Sequence, residues 1–181
     1  MISITPVNAD LPALDCVCDD AMVALVYADE KPPRGLAGLI DWRTDAAISR
    51  MSAAGKITGE FAECVLFSTN NRTSCGFILF FGLGRKRELT LERLRNAGAI
   101  VGAKLGKANV KRFALGMPPA EEDRIPWSEA LAIFLGAIAE AGRWEGITIV
   151  DDPGKVKKFI WNMPEGLKRK YALAREGPTS P

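Results

Sequence analysis

The run from Gly76 to Leu105 constrains the fold more than any other stretch of the chain. Five consecutive apolar residues, Phe77 to Phe81, lead into Gly82-Leu83-Gly84. Three cations follow (Arg85, Lys86, Arg87), and Thr90 stands where a helix begins. A buried strand, a glycine turn and a capped helix in that order make half of a βαβ unit, which points to an α/β fold. The Thr90 hydroxyl suits an N-cap, accepting from a first-turn amide. Beyond it, Leu91, Leu94, Ala97, Ile100, Val101 and Leu105 recur on one helical face.

The same reading extends in both directions. Ile2 to Val7 is a short strand, Asp10 to Asp20 is acidic and turn-rich, and Ala21 to Ala28 is an apolar strand stopped by Asp29, Glu30 and Pro32-Pro33. One helix is expected from Leu36 to Ala53, with Leu36, Leu39, Ile40, Ala47, Ile48 and Met51 inward and Gly55 as its stop. Glu63 to Ser68 and Gly76 to Phe81 pair as neighbouring strands across the polar run Thr69 to Ser74. A strand at Arg112 to Gly116, a helix opened by Pro126 and a buried strand at Ile147 to Val150 follow. Lys155 to Asn162 is a short helix, and Glu165 to Arg175 reads as a basic helix. About six strands and four or five helices therefore form one three-layer α/β/α domain with a mixed, mostly parallel sheet. Its boundaries are placed at 1–154, with a basic helical extension over 155–181. Apolar strands imply that both sheet faces are covered, and two strands before any helix suggest at least one antiparallel pair.

Composition narrows the chemistry. At 181 residues with 48% hydrophobic content, the chain suits a single cored domain. It lacks a membrane-length apolar run, and MISITPVNAD carries no secretory pattern, so a cytoplasmic protein with no membrane partner is expected. Histidine is absent, which removes Ser-His-Asp and Cys-His nucleophiles and the HExxH metal site. The four cysteines (Cys16, Cys18, Cys64, Cys75) lack zinc-ligand spacing, so no metal and no cofactor is expected. Charge is uneven. Lys155 to Glu176 hold seven bases against two acids, a local +5 in a chain of net +2.

With these elements in order, and with Gly82, Gly84, Lys86, Leu89, Thr90, Glu92 and Leu94 at matching positions, the chain resembles the N-terminal domain of the leucyl (cytosol) aminopeptidase family. The resemblance covers about residues 2–150 in arrangement, with its specific wording at about 80–98. It implies a macro-domain-like fold, a mixed sheet between helical layers. It also implies that peptidase chemistry, with its two metal ions and catalytic lysine, belongs to a separate C-terminal domain that this sequence does not contain. Glu140-Ala141-Gly142-Arg143 matches only the end of that domain's signature, at the end of an amphipathic helix, and reads as coincidence. Metal-assisted hydrolysis needs converging carboxylates, whereas Asp151-Asp152 and Glu121-Glu122-Asp123 are adjacent acids whose side chains diverge.

Three candidate surfaces emerge. The loop Gly82, Gly84, Arg85, Lys86 to Thr90 offers amides and cations to a phosphate or nucleotide. The alternative there is a tight turn with solvated cations. ADP-ribose-like binding is a second idea carried by the resembled fold, with Asn70-Asn71 after a strand but no Gly-Gly diphosphate loop. Third, Lys155, Lys157, Lys158, Lys168, Arg169 and Lys170 interleave with Phe159, Trp161 and Tyr171, as in nucleic-acid or partner surfaces. The alternative is that Phe159 and Trp161 pack on the sheet while the lysines face water. The leading expectation is a non-catalytic, stand-alone binding or assembly module whose partner is itself or a separate catalytic subunit.

Overall fold

A computed structural model describes residues 1–69, 71–117 and 124–174. In chain order the elements are β1 (Ile2–Val7), α1 (Leu11–Asp15), β2 (Ala21–Val26), α2 (Gly35–Arg43), α3 (Ala47–Ala53), β3 (Cys64–Ser68) and β4 (Phe77–Gly82). After a 3-10 turn at Lys86–Glu88 come α4 (Leu91–Lys107), β5 (Arg112–Leu115), α5 (Trp127–Ala141), β6 (Gly146–Val150), α6 (Pro153–Trp161), α7 (Glu165–Lys168) and β7 (Tyr171–Leu173). The sheet runs β3-β4-β2-β5-β6-β1-β7. Every pairing is parallel except β3 with β4, where Cys64 opposes Phe81 and Ser68 opposes Phe77.

Side-chain alternation divides each central strand between two cores. Ala21, Val23 and Leu25 of β2 join Leu79 and Phe81 of β4 and Phe113 and Leu115 of β5 under α4, α5 and α6. Met22, Ala24 and Val26 join Ile78 and Phe80 on the opposite face, beneath α1, α2 and α3. Strands buried on both faces read as continuous apolar runs, because neither register is left to water. The three-layer arrangement expected from the sequence follows from that pattern.

Four readings need correction. The helix expected over Leu36–Ala53 is two helices, because Asp45 and Ala46 adopt left-handed backbone, with φ of 58° and 57°. The buried Asp41 carboxylate holds the break, accepting from the Ser49 amide at 3.0 Å and the Ser49 hydroxyl at 2.5 Å. Second, a helix, α1, does stand between β1 and β2, which are not paired; the expected antiparallel pair is β3 with β4. Third, Glu165 to Arg175 is not one basic helix. Over its described residues, α7 ends at Lys168 and Tyr171–Leu173 forms an edge strand parallel to β1. Fourth, the sheet has seven strands and the described residues form seven α-helices, more than the sequence suggested. Gly55 does close α3, at φ +68°, with the Lys56 amide donating to the Met51 carbonyl.

Candidate ligand and partner sites

The Gly82–Thr90 loop is tied to the segments that flank it. The amides that an anion cradle at Gly82 and Gly84 would need are engaged: Gly82 N–H donates to Glu63 O at 2.9 Å, Leu83 N–H to Val26 O at 2.8 Å and Gly84 N–H to Gly59 O at 2.9 Å. Gly82 is required by proximity, since a Cβ there would sit 2.1 Å from the Glu60 carbonyl oxygen. Gly84 is required by its φ of +77°. Lys86 Nζ donates to the buried Glu30 carboxylate at 2.7 Å, and the Lys86 amide donates to Asp29 Oδ1 at 3.1 Å. Thr90 Oγ1 accepts from the Arg93 amide at 3.1 Å, the capping role its position indicated. Arg85 stays exposed at the outer edge.

The basic C-terminal region separates into buried and solvent-facing parts. Phe159 and Tyr171 are core residues, and the Tyr171 hydroxyl donates to Leu135 O at 2.7 Å. Burial pushes the Tyr171 phenol well above its ordinary range. Trp161 does the opposite, with 83% of its surface exposed. Lys157 and Lys158, four and three residues before it on α6, occupy the same solvent face. Lys155 lies apart, its Nζ 3.1 Å from Asp151 Oδ2 and 4.1 Å over the Trp127 ring. Lys168 pairs with Glu165 at 2.9 Å, Lys170 with Glu140 at 3.7 Å, and Arg169 is exposed. The six cations therefore do not converge on one point.

Local sequence reasoning missed a crevice at the carboxyl ends of the parallel strands. The chain leaves β2 for α2 on one face of the sheet and leaves β5 for α5 on the other. Such a switch point opens a cleft between the diverging connections. A cavity of about 440 Å³ lies at this edge, lined by Leu36, Met117, Ile125, Trp127, Asp151 and Lys155 among others. The Trp127 Nε1 is buried without a hydrogen-bond partner among the described residues. Asn70 and the acids Glu121, Glu122 and Asp123 lie outside the described residues. No group of three or more acidic, cysteine or histidine side chains suited to a metal ion occurs among the described residues. No helix among them is long and apolar enough to cross a membrane.

This architecture, a mixed and mostly parallel sheet between helical layers with a cleft at its carboxyl edge, is that of a macro-domain-like α/β protein. Residues 22–142 match the model of the cytosol aminopeptidase family, N-terminal domain, and the chain belongs to that family. Comparison with curated protein sequences gives no match. Among solved structures, a mutant of tomato leucine aminopeptidase shares 14% identity with a TM-score of 0.58, covering 88% of this chain and 35% of that one. The chain thus spans about a third of that enzyme's length. The macrodomain of Mycobacterium tuberculosis DarG (14% identity, TM-score 0.62) covers 84% of this chain and 100% of that chain. An Oceanobacillus iheyensis macrodomain with ADP (14% identity, TM-score 0.66) covers 87% of this chain and 88% of that chain. At these identities the structural likenesses establish the fold alone.

Proposed function

We propose that this chain is a non-catalytic binding and assembly module of the aminopeptidase N-terminal type. Its partner is a second copy or a separate catalytic subunit, and its contact surface is the solvent face of α6. The observation that carries this reading is Trp161, 83% exposed on α6, whereas Phe159 of the same helix packs edge-on against Trp127 of α5 with ring centroids 5.7 Å apart. A large indole left in water beside Lys157 and Lys158 has the composition of an interface anchor, and such anchors contribute about 2 kcal/mol or more when covered. Sedimentation equilibrium of the chain, alone and with candidate peptidase subunits, tests the proposal. Trp161→Ala is expected to weaken association about thirtyfold, the equivalent of about 2 kcal/mol. Association unchanged by Trp161→Ala, or a monomer that engages neither kind of partner, contradicts it. Retention of single-stranded DNA that falls with salt and is lost in Trp161→Ala would instead assign the face to nucleic acid.

A second reading is favoured by the crevice. Nucleotide-like ligands suit a switch-point cleft, a macrodomain of this fold is known with ADP, and the Trp127 Nε1 beside the cleft is a buried donor without an acceptor among the described residues. The Gly82–Thr90 loop is a poorer place for such a ligand, because the Gly82, Leu83 and Gly84 amides are already engaged by neighbouring carbonyls. Titration calorimetry with ADP and ADP-ribose tests this reading. Saturable heat that is lost in Trp127→Phe supports it, and absence of heat contradicts it.

A further inference from the structure

The fold contains another cavity, which shares no lining residue with the switch-point cleft. It measures about 270 Å³ and is floored by Val26, Ile48, Ile57 and Phe80, with Lys31 and Ser52 at its rim. All four floor residues are buried, at 5%, 2%, 2% and 1% exposure. Close packing normally collapses such a space, so its persistence needs a cause. Both walls are pinned from outside by carboxylates. Asp41 accepts from the Ser49 amide and hydroxyl, fixing the start of α3 relative to α2. Glu63 accepts from the Thr58 amide at 2.8 Å, the Thr58 hydroxyl at 3.0 Å and the Gly59 amide at 2.7 Å, fixing the segment that carries Ile57. The Gly59 backbone in turn abuts β2's exit, where a Cβ would stand 2.9 Å from Ala28 Cα. Neither wall is free to fall inward onto Phe80.

The polar groups at the mouth are unequal. The Ser49 and Thr58 hydroxyls are already spent on Asp41 and Glu63. Glu30, also at the mouth, is engaged by Lys86 Nζ at 2.7 Å and Arg34 Nε at 3.9 Å. Lys31 is exposed and makes no ion pair among the described residues. A preformed apolar chamber with one available cation at its lip selects a compact apolar body bearing an anionic end. An apolar cavity of about 150 Å³ suffices for a benzene ring, so this one accommodates a ring and a short linker.

We infer that this cavity is a binding site for a small hydrophobic carboxylic acid, its ring or branched chain against Ile48, Ile57 and Phe80 and its carboxylate at Lys31. The site is independent of the α6 surface and of the switch-point cleft. Methyl-labelled protein titrated with 3-phenylpropionate, 3-phenylpropanamide and phenethylamine tests it by chemical shift. Saturable shifts are expected at the Ile48 and Ile57 methyls, with the acid binding at least about fivefold more tightly than the amine. Lys31→Glu should remove that preference, and Ser52→Trp, which fills the mouth, should remove binding of all three. Shifts centred on Ile125 or Ile133 instead, no saturable shift, or equal affinity for acid and amine overturns the inference. The wild-type titration decides the site even if a variant fails to fold.

Discussion

Replacing Gly82 by alanine asks whether the glycine turn is a structural joint. A Cβ at this position would meet the Glu60 carbonyl oxygen at 2.1 Å and the Gly59 carbonyl carbon and oxygen at 2.7 Å. Those are backbone atoms, so no side-chain rotation relieves the contact. Relief requires moving the 59–63 segment by about 1 Å, and that segment is tied to the same residue by Ala62 N–H to Gly82 O at 3.0 Å and Gly82 N–H to Glu63 O at 2.9 Å. Overpacking against a rigid neighbour costs about 3 kcal/mol. For a chain of this size, that lowers the melting temperature by roughly 6–12 °C. Gly55→Ala is the control: its φ of +68° carries strain, but a Cβ there meets nothing within 4 Å, so the cost is about 1 kcal/mol. Urea titration of the three proteins gives the comparison. Gly82→Ala no more destabilising than Gly55→Ala would refute the steric argument and return the loop to consideration as a ligand cradle.

Other perturbations follow from the same geometry. Lys86→Met should destabilise the fold by about 2 kcal/mol in urea, because it leaves the buried Glu30 carboxylate with only the longer 3.9 Å contact to the exposed Arg34, and Lys86→Met/Glu30→Gln should recover most of that loss. Asp20 accepts from the Arg112 and Lys111 amides, at 3.0 and 2.8 Å, and these hold its carboxyl below the ordinary 3.8. A depressed folded value means that its contribution is fully present above 3.8 and is lost as pH falls below that through the folded value. The stability gap between wild type and Asp20→Asn should therefore be constant from pH 7 to pH 5 and shrink in acid. Burial pushes the Cys75 thiol up to about 12, whereas Cys16 and Cys18 are exposed. Ellman's reagent at pH 8 should label Cys16 and Cys18 rapidly and Cys75 only on unfolding.

What was legible in the sequence was whatever a short window encodes. The runs Ala21–Val26, Phe77–Phe81 and Ile147–Val150 identify themselves as doubly buried strands, and Thr90 identifies its own cap. The break between α2 and α3 was not legible, because no glycine or proline marks it; it depends on Asp41 reaching eight residues ahead to Ser49. Nor was β7, whose three residues are too few for a period and are recruited only by the open edge of β1. The apparent alternation of cations and aromatics in the C-terminal region dissolved for a related reason. Phe159 and Tyr171 belong to the core and Trp161 to the surface, a division set by the faces of α6 and β7. The switch-point cleft follows from strand order, which no local pattern contains.

The proposed binding module carries no peptidase chemistry of its own. Incubating the purified chain with leucyl-p-nitroanilide and added Zn²⁺ or Mn²⁺ tests that proposal most directly. The expected result is release no faster than in buffer with the same metal. Saturable turnover that scales with the chain's concentration and is abolished by a chelator would contradict it.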